Sequence, residues 1–194
     1  MFDTHFEVFL ADTEESRNIH YSIRYQVYCE EMDFEDQNNY SLNLEFDSDD
    51  EKATHFIVRN KSTNQWVGAM RLIYKNNEQL PLEKSCVINE EIISNELFNT
   101  VEISRLCLIK SARSGFKDID PPHGICSNPL QTKESAKTDS IANQPKLNRL
   151  IIWGLFYAPV RYGRTNNILN SYFMTTRPLA RVLRRSGLNL INIG

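Results

Sequence analysis

The sequence predicts an α/β protein in which helices pack on both faces of a mixed central sheet. Segments with the two-residue period of strands alternate along the chain with segments that have the helical period of about 3.6 residues. The chain has 194 residues, of which 41% are hydrophobic, and this length is enough for one hydrophobic core and short for two. We therefore expect a single domain over residues 1–194.

The first quarter of the chain predicts a strand, a helix and a loop. Residues 5–10 alternate apolar and polar side chains, which is typical of a strand. The run Asp12-Thr13-Glu14-Glu15 has a capping-box pattern with an acid three residues after the cap, and it begins a predicted helix at 13–30. Residues 31–51 are acidic without a clear period, so we expect an ordered loop or short helical turn over the site. A solvated loop is the alternative.

The middle of the chain predicts three strands. Residues 54–59 and 65–74 are expected to form an antiparallel hairpin, and a longer strand is expected at 100–109. In this strand the apolar positions change from odd to even numbers across Ser104-Arg105. A β-bulge there explains the change. The alternative is a strand that is buried on both faces.

The last part of the chain predicts an irregular excursion followed by helices and strands. Residues 111–147 hold four of the seven prolines and few large apolar side chains, so we expect a mobile segment. Pro159 is expected to kink the helix that follows. The further predicted elements are a helix at 146–162, a strand at 168–174, a short helix between the Thr176 cap and Gly187, and the start of a strand at 188–193.

Acidic and basic residues are distributed unevenly. The net charge is -3, but residues 1–50 hold fourteen Asp or Glu and only two Arg, whereas no acidic residue follows Asp139. On the helix after Thr176, the apolar face is predicted to consist of Leu179, Val182 and Leu183, and the cationic face of Arg177, Arg181, Arg184 and Arg185. Such a surface suits nucleic acid, lipid headgroups or an acidic protein. Alternatively, the two ends of the chain neutralise one another in the fold.

Several classes of protein do not fit the composition. No apolar run approaches the roughly 20 residues that cross a bilayer, and the N-terminus has no signal-peptide pattern, so we expect a cytoplasmic protein without integral membrane association. The four cysteines have no CxxC spacing, which favours reduced, buried thiols over a disulfide framework or a metal site. The arginines lack interleaved aromatic residues and the first part of the chain is acidic, so nucleic-acid binding is not expected.

Charged residues that are far apart in sequence occur in segments that otherwise look half-buried. The charged residues are Arg24, Glu45, Asp47, Asp50, Arg71, Glu102 and Arg105, and the aromatic Phe34 belongs to the same pattern. Carboxylates and guanidiniums in such segments are costly unless they meet in the fold. The sequence therefore predicts a pre-built polar site.

Taken together, the motifs resemble the signature of acyl-homoserine-lactone synthases. The matching strings are Arg24-x-x-Val27-Tyr28-x-x-x-Met32-x-Phe34, Glu45-x-Asp47-x-x-Asp50, Gly68-Ala69-Met70-Arg71-Leu72, Glu102-Ile103-Ser104-Arg105-Leu106, Met174-Thr175-Thr176 and Leu183-Arg184-Arg185-Ser186-Gly187. The order of the predicted elements is that of the GCN5-related N-acetyltransferase (GNAT) fold. Residues 24–32 are still more similar to exosortase-associated acyltransferases and long-chain N-acyl amino acid synthases. Phe34 and His55 depart from the lactone-synthase pattern, which keeps lactone synthesis as an alternative.

The resemblance implies aminolysis of a thioester, for which we expect Glu102, Ser104 and Arg105 to be catalytic. An amine is protonated at neutral pH, so the reaction needs a general base. Glu102 is the candidate because partial desolvation raises the pKa of a carboxyl group; an exposed strand carboxylate is the alternative. Ser104 is expected to steady the thioester carbonyl or the thiol leaving group, although backbone N–H groups near Leu106 are better placed as oxyanion donors.

A further set of residues is expected to bind the substrates: Arg24, Phe34, Asp47, Asp50, Arg71, Leu106 and Thr175. The arginines suit two roles, which are pairing with loop carboxylates and gripping an acceptor carboxylate. The first role is favoured for Arg24 and Arg105. Asp47 and Asp50 are expected either to pair with these arginines or to bind the ammonium group of an amino acid. The apolar strand that ends at Thr175 is expected to line an acyl pocket.

The donor is expected to be an acyl-phosphopantetheine thioester, and no bound cofactor is expected. Acetyl-CoA users of this fold hold the pyrophosphate on a Gly-rich loop, whereas residues 110–116 contain one glycine. Acyl carrier protein is acidic and suits docking to Arg177, Arg181, Arg184 and Arg185. The sequence thus predicts an N-acyltransferase that moves a fatty acyl group from acyl carrier protein, or from acyl-CoA, to the amine of an amino acid or related metabolite. The other alternative is a non-catalytic protein that binds acyl chains or acyl carrier protein.

Overall fold

A five-stranded sheet organises the described part of the chain. The structure is a computed structural model that describes residues 2–76, 79–89, 99–113, 144–185 and 188–194. The strands are β1 (Phe6–Leu10), β2 (Ala53–Asn60), β3 (Trp66–Tyr74), β4 (Thr100–Leu108) and β5 (Asn170–Tyr172). The helices are α1 (Phe2–His5), α2 (Glu14–Tyr25), α3 (Pro81–Ser85), α4 (Lys110–Arg113), α5 (Gln144–Thr165) and α6 (Arg177–Arg185).

The sheet is mixed, as the sequence predicts. Its strand order is β1-β2-β3-β4-β5, with antiparallel pairs from β1 to β4 and a parallel pair between β4 and β5. The parallel pairing joins only Thr100–Glu102 to Asn170–Tyr172. In the described residues, β4 therefore continues beyond Glu102 without a strand partner on that side.

Helices pack on both faces of this sheet. The ring of His55 on β2 lies 4.7 Å from the ring of His20 on α2. The next residue of β2, Phe56, packs its ring 5.7 Å from that of Tyr162 on α5. Because successive side chains of a strand point to opposite faces, α2 and α5 cover opposite faces of the sheet. The predicted layer arrangement is confirmed.

The main hydrophobic core lies on both faces of the central strands. Met70 and Leu72 on β3 and Leu155 on α5 are each 0% exposed. Gly68 on β3 permits the close approach of the neighbouring elements, because a Cβ atom there would lie 2.6 Å from a side-chain carbon of Leu108. Such interdigitated packing leaves little room for an added methyl group.

The helix α2 begins at a capping box, but its partners differ from the predicted ones. The backbone N–H of Ser16 donates to Thr13 Oγ1 at 3.2 Å, and the backbone N–H of Thr13 donates to Ser16 Oγ at 3.0 Å. The hydroxyl of Ser16 thus takes the place of the expected acid. Beyond Tyr25 the chain continues as a π-helical segment, Gln26–Glu31, so the predicted extent of the helix is confirmed and its type changes near the end.

The predicted β-bulge is present in β4. Ala69 pairs with Cys107 whereas Arg71 pairs with Ser104, so Met70 alone stands opposite two residues of β4. Arg105 has a φ of 51°, a left-handed conformation that is uncommon for a residue with a side chain. The change of apolar phase in the sequence therefore reflects an inserted residue.

The C-terminal part differs from the prediction in several places. The strand expected at 168–174 is only three residues long, and residues 188–194 have no regular structure, although the Ile193 carbonyl accepts the backbone N–H of Asn89 at 2.7 Å. The short β5 offers little edge for a further strand to pair with. The helix α5 extends beyond the predicted bounds at both ends and contains Pro159.

Several expectations fall partly or wholly on residues that the structure does not describe. Of the excursion expected at 111–147, the middle part lies outside the described residues, and the two ends belong to α4 and α5. The helix end at Gly187 and the Val182 side chain also lie outside them. None of the described helices is both long and apolar enough to cross a membrane.

Candidate active site

Arg24 lies at the centre of a buried network of charges. It belongs to the last turn of α2, and its side chain is 0% exposed. Its Nε–H donates to the buried carboxylate of Glu45, and its Nη1 donates to Asp50 Oδ1 at 2.6 Å. Burial lowers the pKa of Arg24, but these two hydrogen bonds outweigh burial and raise it. The guanidinium therefore remains charged inside the fold, where each carboxylate offsets part of its desolvation.

Arg71 on β3 connects the loop carboxylates to β4. Its two terminal nitrogens donate to the two oxygens of Asp47 at 2.6 and 2.9 Å, a bidentate pair. The same guanidinium lies 2.7 Å from Asp50 Oδ1, and its Nε–H donates to Ser104 Oγ at 2.9 Å. Arg71, whose role the sequence left open, is thus paired on three sides.

Arg105 completes the network from the bulge. Its Nε–H donates to Glu45 Oε1 and its Nη2 donates to Asp47 Oδ2, both at 3.2 Å. A third carboxylate, that of Glu35, lies 3.6 Å from the Arg105 Nη2. The guanidinium also lies over the Tyr28 ring, 5.6 Å from its centroid, within the range of a cation–π contact. The left-handed backbone at Arg105 directs this side chain toward the loop.

The carboxylates of Asp47 and Asp50 are held in their charged forms. Burial raises the pKa of both groups, but contact with Arg71 for Asp47 and with Arg24 for Asp50 outweighs burial and lowers each pKa below its usual value. Both residues also cap the 3-10 turn Ser48–Lys52, in which Asp50 Oδ2 accepts the backbone N–H of Asp47 at 2.8 Å. These contacts favour the ion-pair role over binding of a substrate ammonium.

Glu102 is in a different environment from the other carboxylates. Strand register pairs Arg71 with Ser104 and Ile73 with Glu102, so Glu102 lies on the same face of the sheet as Arg71 and Ser104. It is buried, and its Oε2 accepts the backbone N–H of Leu82 at 2.9 Å. Among the described residues, no Lys or Arg forms an ion pair with Glu102. Burial raises its pKa above the usual value, while the Leu82 hydrogen bond and the charge of Arg71 oppose the shift.

The remaining predicted residues of β4 lie around the bulge. Ser104 Oγ is engaged as an acceptor by Arg71. The Leu106 carbonyl accepts the hydroxyl of Tyr28 at 3.3 Å. Burial raises the pKa of Tyr28, so this phenol stays protonated and acts as the donor. The contact ties the π-helical segment after α2 to the bulge.

Other predicted site residues lie outside the charge network. Phe34 is 67% exposed, and its backbone N–H donates to the Tyr28 carbonyl at 2.7 Å. Thr175 is half-buried in the segment after β5. The arginines of α6 are exposed: Arg177, Arg181, Arg184 and Arg185. Within the described part of the chain, the first three of them form no ion pair, so neutralisation by the acidic first part is not seen there.

Two buried histidines adjoin the network, and sequence reasoning missed them. His20 Nε2 lies 3.2 Å from the Met70 carbonyl, and His55 Nε2 lies 3.0 Å from the Asp50 carbonyl. Burial lowers the pKa of both imidazoles, so both are neutral at pH 7. Their positions carried a signal, because His20 lies one helical turn before Arg24 and His55 occupies the position in β2 that pairs with Arg71.

In the ranges that the structure describes, no group of three or more His, Cys, Asp or Glu side chains could hold a metal ion. Cys29 and Cys107 are buried thiols and Cys86 is an exposed one, while Cys126 lies outside the described residues. The described side chains of the site present carboxylates, guanidiniums, imidazoles and hydroxyls.

Comparisons with known proteins agree with this fold. Residues 23–117 match the sequence model of the acetyltransferase (GNAT) domain family, and this range contains the whole charge network. No curated protein sequence gives a significant match. The structure is similar to the crystal structure of the AHL synthase LasI, with a TM-score of 0.55 and 14% identity over 95% of this chain and 79% of that chain. At this identity the likeness shows the fold. The protein is therefore an acyltransferase with the GNAT fold, as the resemblance predicted.

Proposed function

We propose that the protein transfers a fatty acyl group from the phosphopantetheine thioester of acyl carrier protein to the amine of an amino acid or related metabolite. The observation that carries this proposal is the contrast between Glu102 and the other carboxylates. Glu102 is buried beside the bulge with a raised pKa, whereas arginines hold Asp47 and Asp50 in their charged forms. A carboxylate with a raised pKa and no paired cation is suited to accept a proton.

In the proposed reaction, Glu102 takes a proton from the acceptor amine, directly or through one water. The neutral amine nitrogen then attacks the thioester carbonyl carbon and the carbon–sulfur bond breaks. The excess proton of the nitrogen passes to the leaving sulfur, so the phosphopantetheine arm departs as a thiol. Backbone N–H groups at the bulge near Leu106 are the proposed donors to the carbonyl oxygen as it becomes negative. Arg71 orients Ser104 beside this position, through the 2.9 Å hydrogen bond.

The separation of β4 from β5 supports an acyl-thioester site between them. The two strands pair over three residues only, so the chain segments beyond Glu102 and Tyr172 diverge. Phe173, just past β5, packs its ring 5.7 Å from that of Phe156 on α5. Thr175 follows on the same segment, and we propose that this apolar region holds the acyl chain.

A carrier protein is the proposed donor because an acidic side chain already occupies the start of α4. Glu31 Oε1 accepts the backbone N–H of Lys110 at 2.9 Å, and the other oxygen of Glu31 accepts a hydrogen bond from Arg113. In acetyl-CoA users of this fold, the resemblance places the donor pyrophosphate on the loop that follows the strand equivalent to β4. Because Glu31 already accepts the Lys110 N–H, that donor is not available to a pyrophosphate oxygen. The exposed arginines of α6 are the proposed docking face for the acidic carrier.

Lactone synthesis is a second candidate, since the structure resembles that of a protein named as an AHL synthase. Both candidates use the same acyl transfer to an amine. Mass spectrometry of the product distinguishes them, because an N-acyl amino acid retains a free carboxylate whereas a homoserine lactone does not. A purely acyl-binding protein is disfavoured, because the candidate base Glu102 is present and the chain is an acyltransferase.

The Glu102→Gln variant tests the proposal. Glutamine has the same shape and can accept the Leu82 N–H, but it cannot take the amine proton. With acyl carrier protein and a panel of amino acids, we expect thiol release to fall by about 10²-fold or more at neutral pH. Part of the rate should return at higher pH, where more of the acceptor is already neutral.

The matched control is Glu30→Gln, because Glu30 is exposed and lies outside the network. This variant should turn over at the wild-type rate, which separates a general loss of charge from loss of the base. A Glu102→Gln protein with wild-type turnover overturns the assignment and makes Asp47 or Asp50 the next carboxylate to test.

A further inference from the structure

A half-open cavity of about 570 Å³ lies between the middle of α2 and the segment that runs through the 3-10 turn Ser48–Lys52 into the start of β2. Tyr21 and Phe46 contribute aromatic rings to its wall, and Asp50, Glu51 and His55 contribute polar groups. Glu102 and Ser104 do not line it. The cavity therefore adjoins the charge network without being part of the proposed acyl-transfer site.

The His55 imidazole, which lines this cavity, has a buried acceptor without a partner among the described residues. Its Nε2 lies 3.0 Å from the Asp50 carbonyl, and a carbonyl can only accept, so Nε2 carries the hydrogen. The ring is neutral, because burial lowers its pKa, and Nδ1 therefore has a free lone pair. Within the described residues Nδ1 has no hydrogen-bond partner although His55 is 3% exposed. The neighbouring Asp50 Oδ1, 3.9 Å from Nδ1, already accepts from Arg24 and contacts Arg71, so Nδ1 is the acceptor that calls for a donor.

The aromatic residues of the wall favour an organic cation. The Tyr21 and Phe46 rings are 5.7 Å apart, and the His55 ring lies 5.7 Å from that of Tyr21. Phe46 is 55% exposed, so its ring is accessible to a ligand in the cavity. Ring faces attract ammonium groups within about 6 Å of their centroids.

The charges at the cavity also favour a cationic ligand. Three carboxylates line it, those of Asp47, Asp50 and Glu51, against one cation, Arg17. Arginines already pair with Asp47 and Asp50. The third, Glu51, is exposed, and no Lys or Arg pairs with it in the part of the chain that the structure describes. Its charge is therefore available to a cationic ligand.

We propose that this cavity binds the ammonium group of a small organic cation. An N–H group of the ligand donates to His55 Nδ1 beside the charge of Asp50, its alkyl part lies against the exposed side of the Tyr21 and Phe46 rings, and Glu51 attracts the charge. The site goes beyond the proposed function and does not depend on it. The ligand is either the acyl acceptor itself, bound by its own cationic group, or a separate amine. A separate amine would lie beside Asp50, which pairs with Arg24 and Arg71.

Direct binding of n-butylammonium to the full chain tests the site, with n-butanol as the neutral probe of similar shape. Calorimetry should show saturable binding of the amine and at least about ten-fold weaker binding of the alcohol. The Phe46→Leu variant keeps an apolar side chain but removes the ring, and should weaken amine binding by about two- to five-fold. Glu51→Gln should weaken it by a similar factor that shrinks at high salt.

The matched controls are Leu42→Ala and Glu30→Gln, both at exposed positions away from the cavity, and they should bind the amine like wild type. Equal binding of amine and alcohol, no saturable binding, or wild-type binding by both cavity variants overturns the proposal. Acyl-transfer kinetics then show whether the ligand is the acyl acceptor or a separate amine. A raised acceptor KM with unchanged kcat in Phe46→Leu identifies the acceptor, and an unchanged KM identifies a separate ligand. None of these outcomes depends on the Glu102→Gln result.

Discussion

The Nε–H of Arg71 donates to Ser104 Oγ at 2.9 Å, across the junction of β3 and β4. The other two nitrogens of the same guanidinium hold both oxygens of Asp47. One rigid, planar group therefore couples the acidic loop to the strand that carries Glu102. Substitution of a loop carboxylate should therefore change the position of Ser104 at the bulge, even if that carboxylate does not contact substrate.

The first prediction concerns Asp50, which bridges two buried arginines. The Asp50→Asn variant leaves Arg24 and Arg71 with less negative charge, so we expect a loss of about 3–5 kcal/mol in the free energy of unfolding at pH 7. The pKa of Asp50 is lowered in the fold, so its stabilisation is present above the ordinary aspartate pKa and is lost as pH falls through the folded value. Urea unfolding at a series of pH values should show the difference shrink in acid. The exposed Asp12→Asn serves as control, and a loss that does not depend on pH contradicts the ion-pair explanation.

The second prediction concerns the stability of the Glu102→Gln variant. Burial raises the pKa of Glu102, so its favourable contribution is complete below the unfolded pKa and is lost as pH rises through the folded value. At pH 7 the charged group costs stability, and the neutral amide removes that cost while still accepting the Leu82 N–H. We expect the variant to be at least as stable as wild type at pH 7 and to lose this advantage in acid. A less stable variant at pH 7 would show that the Glu102 charge is compensated in the fold.

The third prediction concerns docking of acyl carrier protein to α6. Replacement of Arg177 and Arg181 by Glu should weaken binding of the carrier by about ten-fold at low salt and reduce its salt dependence. These two positions are preferable to Arg184, whose Nε–H donates to the Leu190 carbonyl at 3.2 Å. Arg164→Glu on α5 is an exposed control. Titration of labelled carrier protein that shows no change for the double variant argues for another docking face.

The fourth prediction concerns acyl-chain length. Thr175→Phe enlarges a half-buried side chain beyond β5, so we expect shorter acyl products, with each excluded methylene losing about 0.8 kcal/mol of burial. The neighbouring Met174 is 68% exposed, and Met174→Phe is the control for added aromatic volume. Product profiles are measured by mass spectrometry. If both variants give the wild-type product profile, the acyl chain does not bind at this segment.

Local patterns in the sequence determined much of the fold. The hairpin of β2 and β3 follows from alternation of side chains along each strand, and the bulge at Ser104-Arg105 follows from a change in that alternation. These signals are strong because neighbouring residues of a strand must point to opposite faces whatever the rest of the chain does. The charged residues of the network could be listed for a similar reason, since charges in half-buried segments need partners.

Only the tertiary structure decided how those residues meet. From the sequence, Asp47 and Asp50 were expected either to pair with Arg24 and Arg105 or to bind an ammonium group. In the structure Arg24 pairs with Asp50 and Arg105 with Asp47, and Arg71, which that expectation did not include, contacts both carboxylates. The strand expected at 188–193 depended on a neighbouring edge, and the short β5 offers little of one. The roles of His20 and His55 likewise depend on the contact of α2 with β2. Alternation and spacing act over a few residues, but these contacts join residues far apart in the chain, and packing of the helices on the sheet selects among them.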